Sequence, residues 1–84
     1  MKGLSKKTII LFVLRILYAG SSKNRPVKPK VITNVINDLG IEVSIRTIQR
    51  NIGYLIKSGM PIYQAKNRND GYYYEKNEDF YFKT

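Results

Sequence analysis

The chain has 84 residues, with fifteen Lys and Arg against six Asp and Glu and with neither Cys nor His. That length predicts one domain with a thin core, because a chain of roughly 60 to 100 residues buries only about 60–65% of its unfolded surface. Disulfides, thiol nucleophiles, imidazole bases and the common zinc ligands are all ruled out, and no two carboxylates are spaced for acid–base work. No catalytic residue, metal or cofactor is therefore expected, and an enzyme is not the expected reading.

The net charge of +9 is unevenly distributed: residues 1–69 carry thirteen basic and two acidic side chains, residues 70–84 two basic and four acidic. A basic body of this size attracts polyanions, nucleic acid first and anionic membrane second.

In chain order, the first apolar stretch runs from Thr8 to Ala19 without Gly or Pro and predicts a helix over about 6–19. Ser5 or Thr8 is placed to cap it, and Gly20, Ser21 and Ser22 end it. Ile9 to Ala19 contains a single charge, Arg15, but falls short of the ~18–20 residues needed to span a bilayer. A secretory signal read from the same stretch would remove the helix from the mature domain, so a cytoplasmic chain without membrane contact is expected. Ile9, Phe12, Val13, Ile16 and Leu17 form one core stripe, which leaves Ile10, Leu11 and Leu14 needing cover. That excess predicts a partner surface, with a homodimer through the first helix as the simplest form.

Residues 20–28 read as a loop or short extended segment. Pro29 suits the first turn of a second helix over about 29–39, in which Val31, Ile32, Val35, Ile36 and Leu39 form a helical apolar face and Gly40 serves as the left-handed cap. Ser44 caps a third helix over about 45–58, and Val43 is placed to staple onto Ile48. At 100° per residue Ile48, Ile52, Leu55 and Ile56 gather on one side of it, with Arg46, Thr47, Arg50, Tyr54 and Lys57 on the other. Gly59 closes the helix. Only Gly40 to Val43 separate the second and third helices, the length of a helix-turn-helix turn. Two β-prone runs then flank a polar loop ending in Asp70-Gly71, a hairpin over about 61–74 followed by a short acidic, aromatic tail over 75–84. The expected fold is α+β, mostly α: one three-helix winged helix-turn-helix domain over 1–84 with a C-terminal β-hairpin wing.

The stretch VSIRTIQRNIGYLIKSGMPI (Val43 to Ile62) with DGYYY (Asp70 to Tyr74) resembles the N-terminal winged helix of WYL-domain transcriptional regulators and the related DeoR-type heads. PVKPKVITNVINDLGIEV (Pro26 to Val43) is similar to that family's entry into its second helix. Ser44, Arg46, Thr47, Ile48, Arg50, Ile52, Leu55 and Gly59 align one for one, whereas Lys28, Ile45 and Asn51 depart from the pattern, those at 28 and 51 making the face more positive. The resemblance implies a DNA-reading third helix. Family members continue into an effector-sensing domain, and a chain stopping at Thr84 is expected to lack it, as in small phage or mobile-element regulators and excisionases.

The candidate DNA-binding residues are Arg46, Thr47, Gln49, Arg50, Tyr54 and Lys57 on the third helix, Ser44 at its cap, Lys28 and Lys30 at the start of the second helix, and Lys66, Asn67 and Arg68 on the wing. Arg forks suit guanine edges or phosphates, and a basic wing tip suits the backbone or minor groove. Tyr72, Tyr73, Tyr74, Phe80, Tyr81 and Phe82 are expected to pack rather than stack on bases. The expected function is a small sequence-specific double-stranded DNA-binding regulator. The alternatives are a winged helix that binds protein, as an inhibitor or antirepressor, and an excisionase-like architectural factor.

Overall fold

Three helices and one hairpin follow each other along the chain: α1 (Lys6–Gly20), α2 (Pro29–Asp38), α3 (Ile45–Lys57), β1 (Ile62–Gln64) and β2 (Tyr72–Tyr74). This computed structural model describes residues 6–76, apart from the side chains of Lys6 and Arg68. Ser5, a candidate cap, and the aromatic residues Phe80, Tyr81 and Phe82 lie outside the described residues. The arrangement is the expected one, a mostly helical α+β domain with a two-stranded antiparallel wing. No described helix is long and apolar enough to cross a membrane.

All three helices and β1 feed one core of Val13, Leu17, Ile32, Ile36, Ile48, Ile52, Leu55 and Ile62. Ile9, Phe12 and Ile16 of α1 pack against it from the side. So do Ile10 and Leu14, which the sequence reading left without cover; α1 meets both α2 and α3 as well as β2, so more of its circumference is occupied than one stripe. Leu11 alone of that trio stays largely open to solvent, at 64%.

α2 departs from expectation in the opposite direction. Ile32, Ile36 and Thr33 are buried, but Val31, Val35 and Leu39 are 47%, 39% and 59% exposed. At 100° per residue Val31 and Val35 lie on the side of Ile32 away from Ile36 and Thr33, so the buried arc is turned toward Thr33; Leu39 lines up with Ile32 but is the C-cap that follows the last residue of α2, Asp38. On α3 the buried arc is as wide as predicted but turned by about 40°: Ile48, Ile52, Leu55 and Asn51 are inside, whereas Ile56 is 41% exposed. Asn51 therefore does not add to the outward face; its amide donates to the Thr47 carbonyl at 2.8 Å within the helix.

Local chemistry fixes how α2 hands over to α3. Pro29 opens α2, and Lys28 precedes it in extended conformation without a side-chain cap bond. At the other end Gly40 adopts φ 89°. Its N–H donates to Asn37 O at 2.9 Å and that of Ile41 to Ile36 O at 3.3 Å, a Schellman pair that turns the chain. Asn37 Oδ1 also accepts from Val43 N–H at 3.0 Å, tying the end of the turn back to α2. Ser44 then caps α3 by accepting from Thr47 N–H at 3.2 Å. The same Schellman geometry ends α3 at Gly59, φ 101°.

The wing is anchored more firmly than a lone hairpin. Ile62, Tyr63 and Gln64 pair with Tyr74, Tyr73 and Tyr72. Val27, in the stretch read as loop or extended, forms an antiparallel bridge with Tyr72, with hydrogen bonds of 2.7 and 2.9 Å. Gly71 (φ 102°) passes so close that a Cβ there would overlap the Val27 carbonyl. A further tie comes from buried Ser21, whose hydroxyl donates to Leu17 O at 2.5 Å and accepts from Tyr74 N–H at 2.9 Å, joining the end of α1 to β2. Tyr74 also packs edge-on against Tyr18 of α1, with centroids 4.9 Å apart.

Candidate nucleic-acid interface

α3 is positioned by its buried arc of Ile48, Ile52 and Leu55, and what it turns outward follows from helical geometry. Arg46, Gln49, Arg50, Gly53, Tyr54 and Lys57 are all exposed. Arg46 and Arg50 stand one turn apart, and Lys57 lies about 16 Å along the axis from Arg46 at 1.5 Å per residue. Gln49, at the edge of the predicted buried stripe, falls on the outer side. Thr47 is half-buried, and its hydroxyl lies 3.1 Å from Ser44 Oγ. One hydroxyl hydrogen joins these two oxygens, which leaves the other to reach outward from the N-terminus of the helix. Orphan backbone N–H groups there also favour an anion.

Between the start of α2, the first turns of α3 and the wing runs a shallow groove of about 330 Å³, lined among others by Lys28, Lys30, Ile45, Gln49, Gln64 and Asn69. It brings together three predicted residues, Lys28 just before α2, Lys30 in its first turn and Gln49 on α3, beside the wing. Arg46, Arg50, Tyr54 and Lys57 are not among its walls; they occupy the remainder of the exposed arc of α3.

On the wing, Ala65 N–H donates to Gly71 O at 2.7 Å and closes the loop, and Lys66 and Asn67 are exposed. Asn67 has a structural task as well, because its side-chain oxygen accepts from Asn69 N–H at 3.1 Å and caps the 3-10 turn over Arg68–Asp70. The Arg68 backbone belongs to that turn; its side chain lies outside the described residues.

Three groove residues escaped the sequence reading. Ile45 is 43% exposed, and its apolar side chain opens α3 on the same flank as Gln49. The helical angle places it on the apolar side, between Ile52 and Ile56, so its exposure carried no signal in the sequence. Gln64 and Asn69 carried none either, since their place depends on how the wing folds against α2.

Comparison of the chain with known protein families, curated proteins and solved structures finds no match. What the face offers chemically is clear from its own residues: guanidinium and amide groups projecting from one rigid helix, with ammonium groups on the neighbouring helix start and wing. Such an array fits an extended polyanion carrying hydrogen-bonding edges better than a compact small molecule.

Proposed function

We propose that this protein is a small, non-enzymatic, sequence-specific reader of double-stranded DNA that works without a cofactor in the bacterial cytoplasm or nucleoid. Its kinship in this reading is with the winged-helix heads of WYL-domain and DeoR-type regulators, and its role is that of a transcriptional regulator of phage or mobile-element type. The observation that carries it is the exposed row of Arg46, Gln49 and Arg50 on a capped helix, joined to the wing by a groove that holds Lys28 and Lys30.

In this mechanism α3 enters the major groove, where Arg46 or Arg50 grips guanine O6 and N7 and Gln49 meets an adenine edge. Ile45 then lies beside thymine methyl groups. Lys28, Lys30 and Ser44 take phosphates on one side and Lys66, Asn67 and Arg68 on the other, fixing register without reading sequence. Tyr54 and Lys57 reach the backbone past the far end of the helix.

Selection of bound fragments from a random duplex pool, followed by anisotropy titration of the recovered sequence, tests this reading. The chain enriches a defined motif, and Arg46→Ala lowers affinity for it by about 1–3 kcal/mol. Recovery of no motif, with equal affinity for the Arg46→Ala variant, contradicts it. A protein-binding role is the second reading, favoured by the exposed apolar groups Leu11, Val31, Val35 and Leu39.

A further inference from the structure

The outer side of α2 carries an apolar row that nothing in the described chain covers. Val31, Val35 and Leu39 recur at every fourth residue and are 47%, 39% and 59% exposed. Isolated exposed aliphatics are ordinary, but Val31 and Val35 on α2 with Leu39 at its C-cap form a continuous strip. The charges at its ends differ in sign. Arg25 and Lys28 border Val31 at the N-terminal end, with one wing carboxylate, Asp70, beside them. Asp38, the last residue of α2, stands at the C-terminal end, with Glu42 following in the turn beyond Gly40; in the sequence these are the only acidic residues among 1–69.

A strip with this polarity is complementary to itself once reversed. We infer that α2 is the surface through which two copies of this chain pair, antiparallel and related by a twofold axis passing at Val35. About that axis Val35 faces its own copy, and Val31, about 6 Å away along the helix, faces Leu39 of the second copy. The basic end of each strip meets the acidic end of the other, at both ends at once.

The alternative face on α1 lacks that property. Leu11 is flanked one turn to either side by Lys7 and Arg15, both exposed, so two copies meeting there set like charges together. An acidic partner of another kind suits α1; a second copy suits α2. The α2 strip is short and places the pair in the small, transient class of interfaces, so association is expected at tens of micromolar.

Lys28 lies both at the N-terminal end of the strip and among the proposed phosphate contacts, so the test uses the full chain without DNA and stands or falls separately from the proposed function. Because the chain has no cysteine, a single substitution gives an unambiguous cross-link. Val35→Cys, on the axis, is expected to form a disulfide-linked dimer under mild oxidation, at least tenfold faster than Leu11→Cys at the same concentration. In sedimentation equilibrium the wild type is expected to approach dimer mass, and Val35→Glu and Leu39→Glu to remain monomers with helical circular dichroism intact. A monomeric wild type at one hundred micromolar overturns the inference. So does a Leu11→Cys protein that cross-links as fast as Val35→Cys, or a dimer that survives both glutamate substitutions.

Discussion

Replacing Gly71 by Ala strikes the one backbone position at which the wing and the strand-like segment before α2 come closest. Gly71 has φ 102° and ψ −145°, a region open essentially to glycine alone, which by itself puts about 1–3 kcal/mol on any side chain placed there. The new Cβ would overlap the carbonyl carbon and oxygen of Val27 and the amide nitrogen of Lys28. These are backbone atoms, so no side-chain rotation relieves the clash and the Val27–Tyr72 bridge must open. Its two hydrogen bonds, 2.7 and 2.9 Å, contribute about 0.5–1.5 kcal/mol each. The sum, about 2–6 kcal/mol, is a large part of the stability of a domain this small, for which about 0.05–0.15 kcal/mol per residue is usual. Urea unfolding followed by circular dichroism measures it, and in thermal unfolding a fall in Tm of about 10 °C or more is expected, at about 4–8 °C per kcal/mol. A Gly71→Ala protein within about 1 kcal/mol of wild type would refute the reasoning, because neither the strain nor the close approach could then be real.

Gly53 provides the contrast: it lies inside α3 with nothing within 4 Å of a built Cβ, so Gly53→Ala is expected to raise stability by about 0.5–1 kcal/mol in the same urea titration. Ser44→Ala removes the α3 cap and should lower stability by about 0.5–2 kcal/mol, whereas Ser44→Asp, which still accepts from Thr47 N–H, should largely keep it; equal losses for both would argue against the cap. Ser21→Ala leaves the Tyr74 N–H without its partner and should cost about 1–3 kcal/mol, with hydrogen exchange accelerating first at Tyr74. On DNA, Lys57→Ala is expected to weaken all sequences alike, against the sequence-dependent loss for Arg46→Ala, as competition titrations with specific and mixed duplexes can show.

Local signals in the sequence were sufficient for the elements and their ends. Pro29, Ser44, Gly40 and Gly59 each act where their backbone chemistry places them, and the extents of α2 and α3 differ from expectation by a residue. Periodicity was less informative about burial. It put Val31, Val35, Leu39 and Ile56 on apolar faces, whereas the buried arcs are turned toward Thr33 on α2 and Asn51 on α3, and Leu39 falls past the end of its helix. The reverse holds for Ile10 and Leu14, which gain cover because α1 touches three other elements. Contacts joining distant parts of the chain left no local trace: Ser21 with Tyr74, Val27 with Tyr72, and Gln64 and Asn69 beside the start of α2 depend on the wing's final position. The outward arc of α3 was readable in Arg46, Arg50 and Lys57, since charged residues at these angles fall opposite the apolar side and all three are exposed.

Salt dependence of DNA affinity tests the central claim most directly. Each phosphate neutralised by Lys or Arg releases condensed counterions, so log affinity falls linearly with log salt, with a slope of about −0.9 per contact. With about four to seven phosphate contacts per protomer, the slope for wild type on mixed duplex is expected to be about −4 to −6, and to become shallower by about 1 for each of Lys28→Ala, Lys30→Ala and Lys66→Ala. An affinity that does not change with salt, or no binding to duplex DNA at low salt, would contradict the account.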